Sequence, residues 1–244
     1  MKERIEALRA ELARRELDGF IVPHADEFQN EYLPPCAERL AWLTGFTGSA
    51  GLAVVLRERA AVFTDGRYTL QIREQVDASL FEIRHIAEEP PKDWIATHLP
   101  EGGRLGYDPW LHTEKSLGTW REAAEKAGGD LVPVDGNPLD AAWADRPAPP
   151  RAPIVPHDER FTGESAAAKR ARVGKAVAEA GAEAAVITAP DSIAWLLNVR
   201  GGDVAHTPLP LSFAILYADG RVEWFVDPAK TGPALATHCL LYTS

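Results

Sequence analysis

The stretch Asn198-Val199-Arg200-Gly201-Gly202-Asp203-Val204-Ala205-His206-Thr207-Pro208 concentrates more reactive side chains than any other part of this 244-residue chain. It sets a guanidinium, a carboxylate and an imidazole close together, with two glycines that leave the backbone free to turn. A fixed cation with a planar fork of donors suits recognition of a charged ligand end, and loops between regular elements are where such groups gather. The same residues have a structural use, in which Arg200 pairs with Asp203 and holds the loop. Arg67, in Thr64-Asp65-Gly66-Arg67-Tyr68, presents the same choice between ligand contact and turn formation. Arg67, Arg200, Asp203 and His206 are therefore the candidate site residues.

Other motifs point away from familiar chemistries. Gly45-Phe46-Thr47-Gly48-Ser49-Ala50-Gly51 has G-x-x-G-x-x-G spacing, lacks a phosphate-loop lysine and runs into a strand pattern, where phosphate binding wants a helix N-terminus. Its glycines are expected to permit a sharp turn and close packing. Ser49 is no nucleophile elbow, because Thr47 stands where that motif needs glycine, and Ser192 has Asp191 beside it but no histidine nearby. None of the seven histidines has H-E-x-x-H or H-x-H spacing, and His206 with Asp203 alone is a thin basis for a metal site. Cys36 and Cys239 are too few for a disulfide framework or a cysteine metal site, which fits a reducing compartment.

The elements that must carry these residues alternate between strand and helix. Ile5, Leu8 and Leu12 share one helical face, so residues 2 to 16 are predicted as an amphipathic helix packing on a buried strand at Phe20 to Pro23. Strands at Leu52 to Leu56 and Ala60 to Thr64 follow, then a helix after Asp65, a strand at Leu80 to His85, a helix over 91 to 98 and a strand over 104 to 107. A long helix from Thr113 to Ala127 and a strand from Leu131 to Val134 close the series. This order implies an α/β layer fold. Trp42 and Trp195 are expected to anchor the core.

The pattern then repeats at a domain-sized offset. Gly19 to Arg67 and Glu183 to Lys230 share a buried strand, a Trp-bearing segment and two paired strands ending in aspartate, Asp65 in one and Asp227 in the other. Between the copies, residues 145 to 156 hold five prolines, which fix φ and remove amide donors, so an extended connector is expected. Ser165 to Ala180 reads as an alanine-rich helix, Asp191 as the N-cap of the Trp195 helix, and Asp219-Gly220 as a hairpin turn. The expected organisation is a first domain over 1–144, a linker over 145–156, an incomplete second domain over 157–238 and a separate tail over 239–244. The second copy lacks counterparts of the first copy's last helices and strands, so apolar faces of its sheet are expected to be exposed.

Composition narrows the partners. Net charge is −10 from 36 acidic and 26 basic residues, and the isoelectric point is near 5.2, so a phosphate backbone or an anionic membrane is repelled. No run approaches the ~18 apolar residues needed to span a bilayer. The charged start, Met1-Lys2-Glu3-Arg4-Ile5-Glu6, is unlike a signal peptide. A cytoplasmic protein with neither nucleic acid nor membrane as partner is expected.

Taken in order, Trp42 to Gly51, Phe63 to Tyr68, Asp145-Arg146-Pro147 and Ile193 to Val204 resemble the three-domain form of aminopeptidase P, the Xaa-Pro aminopeptidases, from about residue 1 to His238. The resemblance implies two tandem creatinase-N-type domains, each a mixed sheet covered by helices and the second truncated. In the family they precede a "pita-bread" domain that binds two divalent ions, usually Mn²⁺, through two Asp, one His and two Glu. It also implies removal of the N-terminal residue from peptides with proline second, a homodimer when complete, and front domains that border the active-site entrance, the first approaching the partner subunit's site. None of the five metal ligands has a matching segment here, so no catalytic residue and no cofactor is assigned to this chain, which is expected to be inactive alone. Arg67, Arg200, Asp203 and His206 are the entrance candidates. The alternative is a non-enzymatic peptide- or protein-binding module related to metal-free pita-bread proteins; a creatinase or prolidase-like dipeptidase fits the duplication less well. Cys239 to Ser244 departs from the family and resembles a translated transposon end, so it is expected to be non-native read-through.

Overall fold

The computed structural model describes residues 1–233, 235 and 238. The expected read-through tail at 239–244 lies outside the described residues. The chain divides into two compact units: residues 1–27 with 35–148, and residues 28–34 with the chain from Pro149 onward.

The first unit is built from α1 (Lys2–Arg14), β1 (Gly19–Pro23), α2 (Arg39–Thr44), β2 (Gly51–Leu56), β3 (Ala60–Thr64), α3 (Gln71–Gln75), β4 (Glu82–His85), α4 (Pro91–His98), β5 (Arg104–Tyr107), α5 (Glu114–Lys126), β6 (Asp130–Pro133) and α6 (Pro138–Ala142). Its six strands lie in the order β4-β3-β2-β1-β5-β6. The central pairs β1–β2 and β2–β3 are antiparallel and the outer three are parallel, which makes the sheet mixed. Because strand side chains alternate between faces, the apolar runs feed two cores. Phe20, Val22, Ala53, Val55 and Val62 meet Ile5, Leu8 and Leu12 of α1 with Leu40 and Leu43 of α2. Ile21, Val54, Ala61 and Phe63 meet Trp94, Ile95 and Leu99 together with Ala123 and Ala124 of α5. Trp42 is half-buried and stacks on Trp143, ring centroids 5.2 Å apart. Arg146 closes the unit, donating to the Cys36 carbonyl at 2.8 Å and pairing with Asp140, which also receives the buried Arg39.

The second unit contains β7 (Val155–Pro156), α7 (Glu159–Thr162), α8 (Ala166–Glu179), β8 (Ala184–Ile187), α9 (Pro190–Leu197), β9 (Val199–Arg200), β10 (Phe213–Tyr217) and β11 (Val222–Phe225). Its larger sheet, β11-β10-β8, is antiparallel throughout, and β7 pairs with β9 in a separate two-stranded sheet. One face of the larger sheet, with Ala214, Leu216, Val222 and Trp224, packs under Ile193, Leu196 and Leu197 of α9 and Val173 and Val177 of α8. On the other face Ile215 stands opposite Val186 and Phe213 opposite Phe225, and Val186 is 72% exposed. Phe28 stacks on Phe213 at 4.6 Å and covers part of that face.

Two expectations require correction. Asp191 is not the N-cap of α9: the helix starts at Pro190, whose missing amide donor suits its first turn, and the Asp191 carboxylate accepts the Ser192 N–H at 2.7 Å from inside that turn. Trp195 is not a core anchor, being 47% exposed, because the buried side of α9 is taken by Ile193, Leu196 and Leu197. The other helix and strand ends differ from expectation by a residue or two, as at α1, which ends at Arg14.

Candidate ligand-binding site in the second unit

The four candidate residues have distinct surroundings. Arg67, in the first unit, lies against Asp65: its Nη2 donates to Asp65 Oδ2 at 2.8 Å, and the Asp65 carboxylate also accepts the Arg67 N–H at 3.0 Å. These hydrogen bonds hold the Asp65 carboxyl below the usual carboxylate range. The turn is tied to the glycine loop through Tyr68, whose hydroxyl lies 2.8 Å from Ser49 Oγ.

Arg200, Asp203 and His206 lie in the second unit and do not converge. Asp203 is buried and pairs with Lys230, not Arg200, at 2.7 Å, and it also accepts the Leu211 N–H at 2.7 Å. That locks the segment leading into β10 to Asp203. His206 is exposed at the tip of a tight turn closed by the Val204–Thr207 bridge, with φ of 60°. Arg200 is exposed on β9, and its Nη2 meets His157 Nε2 at 3.4 Å. Gly201 behind it is required by close approach, since a Cβ there would lie 2.7 Å from the Pro210 nitrogen.

Arg200 lines a cavity of about 410 Å³ that sequence reasoning did not find, together with His157, Phe161, Lys169, Asp191 and Trp195. The size falls in the ~300–1,000 Å³ range typical of small-ligand pockets. Lys169 is 2% exposed. Its ammonium donates to Asn198 Oδ1 at 2.7 Å and to the Trp195 carbonyl at 3.0 Å, and lies 4.5 Å from the indole centroid. Burial lowers its pKa, against the pull of Glu164. Asn198, left-handed at the end of α9, is held by this bond and by its own donation to the Glu164 carbonyl. His157 stacks on Phe161, ring planes 14° apart. A signal for Lys169 was present in the sequence: at helical spacing it shares a stripe with Val173 and Val177, the buried side of α8.

Among the described residues, no group of three or more His, Cys, Asp or Glu side chains is placed to hold a metal ion. The side chains of the described residues therefore do not fit a dinuclear centre. None of the described helices is long and apolar enough to cross a membrane.

Comparison with known proteins gives a consistent result. The creatinase/prolidase N-terminal domain matches twice, over residues 4–141 and again over 145–241. Aminopeptidase P2 of Arabidopsis thaliana is 38% identical, covering 91% of this chain and 32% of its own length. The "Probable Xaa-Pro aminopeptidase P" of Coccidioides posadasii (strain C735) is 36% identical over 97% of this chain and 37% of its own length. The X-prolyl aminopeptidase of Caenorhabditis elegans, described as a cytosolic enzyme with a di-nuclear active site, matches 97% of this chain and 40% of its own, at 28% identity and a TM-score of 0.90. The chain thus spans about a third of the length of the curated relatives it matches. It belongs to the creatinase/prolidase N-terminal domain family and carries two such domains in tandem, corresponding to the N-terminal region of Xaa-Pro aminopeptidases.

Proposed function

We propose that this chain is the N-terminal, non-catalytic portion of an Xaa-Pro aminopeptidase, which removes the N-terminal residue from peptides with proline in second position. The observation that carries the reading is the match to an X-prolyl aminopeptidase over 97% of the chain. The two domains act as a scaffold, contribute to a homodimer and border the substrate entrance of a cytoplasmic enzyme. The two divalent ions, manganese in this reading, are held by residues outside this chain and would polarise the scissile carbonyl and activate water there. Arg67, Arg200 and His206 are the entrance groups, and Asp203, held by Lys230, fixes the segment that carries His206.

The test compares the 244-residue chain with the same chain extended by its downstream coding sequence. Release of the first residue from a short Xaa-Pro peptide is expected only from the extended protein and only with Mn²⁺. Within it, Arg67→Ala and Arg200→Ala should lower kcat/KM, and unchanged values would remove these residues from the entrance. Manganese-dependent turnover by the 244-residue chain alone would overturn the reading.

A further inference from the structure

The cavity between α7, α8 and α9 has features that a purely structural void lacks. Its lining carries two fixed cations, Lys169 and Arg200, against one carboxylate, Asp191, in a chain whose overall charge is −10. Lys169 is buried with neutral acceptors and an indole as its direct neighbours, and among the described residues no carboxylate lies within ion-pair distance of it or of Arg200. Glu164, the acid nearest in sequence, is taken by Arg172 at 2.7 Å. Glu164 acts on Lys169 only through space, and a buried cation with no carboxylate in contact is costly, so the field it sets up in a low-dielectric wall favours an anion in the adjoining space. Arg200 supplies what Lys169 cannot, an exposed guanidinium whose planar fork matches a carboxylate.

The rest of the lining sets aromatic and aliphatic side chains beside the polar His157, Thr162, Asn198 and Thr207. Trp195 is 47% exposed and Phe161 65% exposed; Lys169 and Arg172 lie over the indole, and His157 and Arg160 over the Phe161 ring, so the cavity is offered the ring surface that these neighbours leave uncovered. Such surfaces take rings by stacking. With Lys169 and Arg200 against Asp191, the lining carries a single net positive charge, which matches a monoanion.

We propose that this cavity is a binding site for a ring-bearing monocarboxylate, the carboxylate held by Arg200 in the field of Lys169 and the ring laid against Trp195 and Phe161. The C-terminal end of a short peptide and a free aromatic acid share this chemistry. The inference rests on the preceding reading only in counting a peptide among the sources, and its test needs no turnover.

The experiment follows the indole N–H signal of Trp195 in the ¹⁵N-labelled 244-residue chain, assigned by its loss in Trp195→Phe. The probes are Ala-Pro-Phe with a free carboxylate, the same peptide as its C-terminal amide, and benzoate. The signal should shift saturably with the free-acid peptide, and the amide should bind at least tenfold more weakly. Arg200→Gln, unchanged in thermal midpoint, should weaken the free acid at least tenfold and the amide little. Benzoate binding as well as the peptide assigns the site to free ring carboxylates; peptide binding alone assigns it to peptide C-termini. Equal affinity for acid and amide, indifference to Arg200→Gln, or no movement of the Trp195 signal overturns the proposal.

Discussion

Lys230 Nζ lies 2.7 Å from Asp203 Oδ2, both side chains almost wholly out of solvent, at 6% and 0% exposure. The second Asp203 oxygen, Oδ1, is buried without a hydrogen-bond partner among the described residues. The pair therefore carries desolvation that its geometry only partly offsets, and it locates the segment between β9 and β10 more than it adds net stability. Lys230→Met alone should cost about 3–5 kcal/mol by stranding a buried carboxylate. The double variant Asp203→Leu/Lys230→Met should recover at least half of that loss. Hydrogen exchange of the β10 amides measures both, and a double variant no better than the single would contradict this account.

Asn198 combines a left-handed backbone, φ 50° and ψ 55°, with two side-chain hydrogen bonds, to Lys169 and to the Glu164 carbonyl. Asn198→Gly loses the bonds but keeps the conformation available; Asn198→Ala loses both. The alanine variant should be the less stable of the two by about 1 kcal/mol. Urea midpoints of the two proteins compare them directly, and equal midpoints would show that the backbone carries no strain.

Gly174 sits in the middle of α8, where helix propensity alone says that alanine should stabilise by about 1 kcal/mol. The packing says the opposite. A Cβ at this position would lie 2.9 Å from both the Tyr217 carbonyl oxygen and the Gly220 nitrogen, backbone atoms of the β10–β11 hairpin that cannot swing aside. Gly174→Ala is expected to destabilise the second unit by about 1–3 kcal/mol, read by hydrogen exchange across β10 and β11. A rise in protection would mean that the helix can move off the hairpin.

Burial holds the His112 imidazole down to about 4, against the nearby Asp108 carboxylate, which pulls the other way. Its Nε2 is buried without a hydrogen-bond partner among the described residues, and its ring meets Tyr107 edge-on. Because the folded-state value lies below the unfolded one, near 6.5, the unfolded chain binds the extra proton first as pH falls. Stability should be unaffected by this group above pH 6.5 and should decline between pH 6.5 and 4, by at most about 3 kcal/mol. His112→Phe keeps the ring contact and removes the titration, so the variant should lose less thermal stability over that window than the parent. Parallel Tm-against-pH curves for the two proteins would exclude His112 as the cause.

Much of the architecture was legible along the chain because its causes are local. Apolar runs such as Phe20 to Val22 and Ala60 to Phe63 mark strands buried on both faces, and Ile5, Leu8 and Leu12 mark one helix face. Asp219-Gly220 makes the β10–β11 turn, with Gly220 at φ 84°. The repeat and the ordered motifs led to the family by themselves. Less of the site could be read. Arg200 is a candidate by residue type and loop position, yet its cavity neighbours Lys169, His157 and Phe161 come from segments tens of residues earlier, and nothing in their local sequence says that they meet.

What the sequence determined, then, is which atoms must leave water: the strands, the helix faces, the turns and the duplicated pattern all follow from local periodicity and backbone preference. Only the tertiary structure decided which of the withdrawn groups meet. It gave Asp203 to Lys230 instead of Arg200, turned Trp195 outward while Trp42 stacked on Trp143, and enclosed Lys169 beside an open cavity. The physical reason is that burial is a property of single residues repeated along an element, whereas pairing depends on how distant elements pack, and many pairings satisfy the same local pattern.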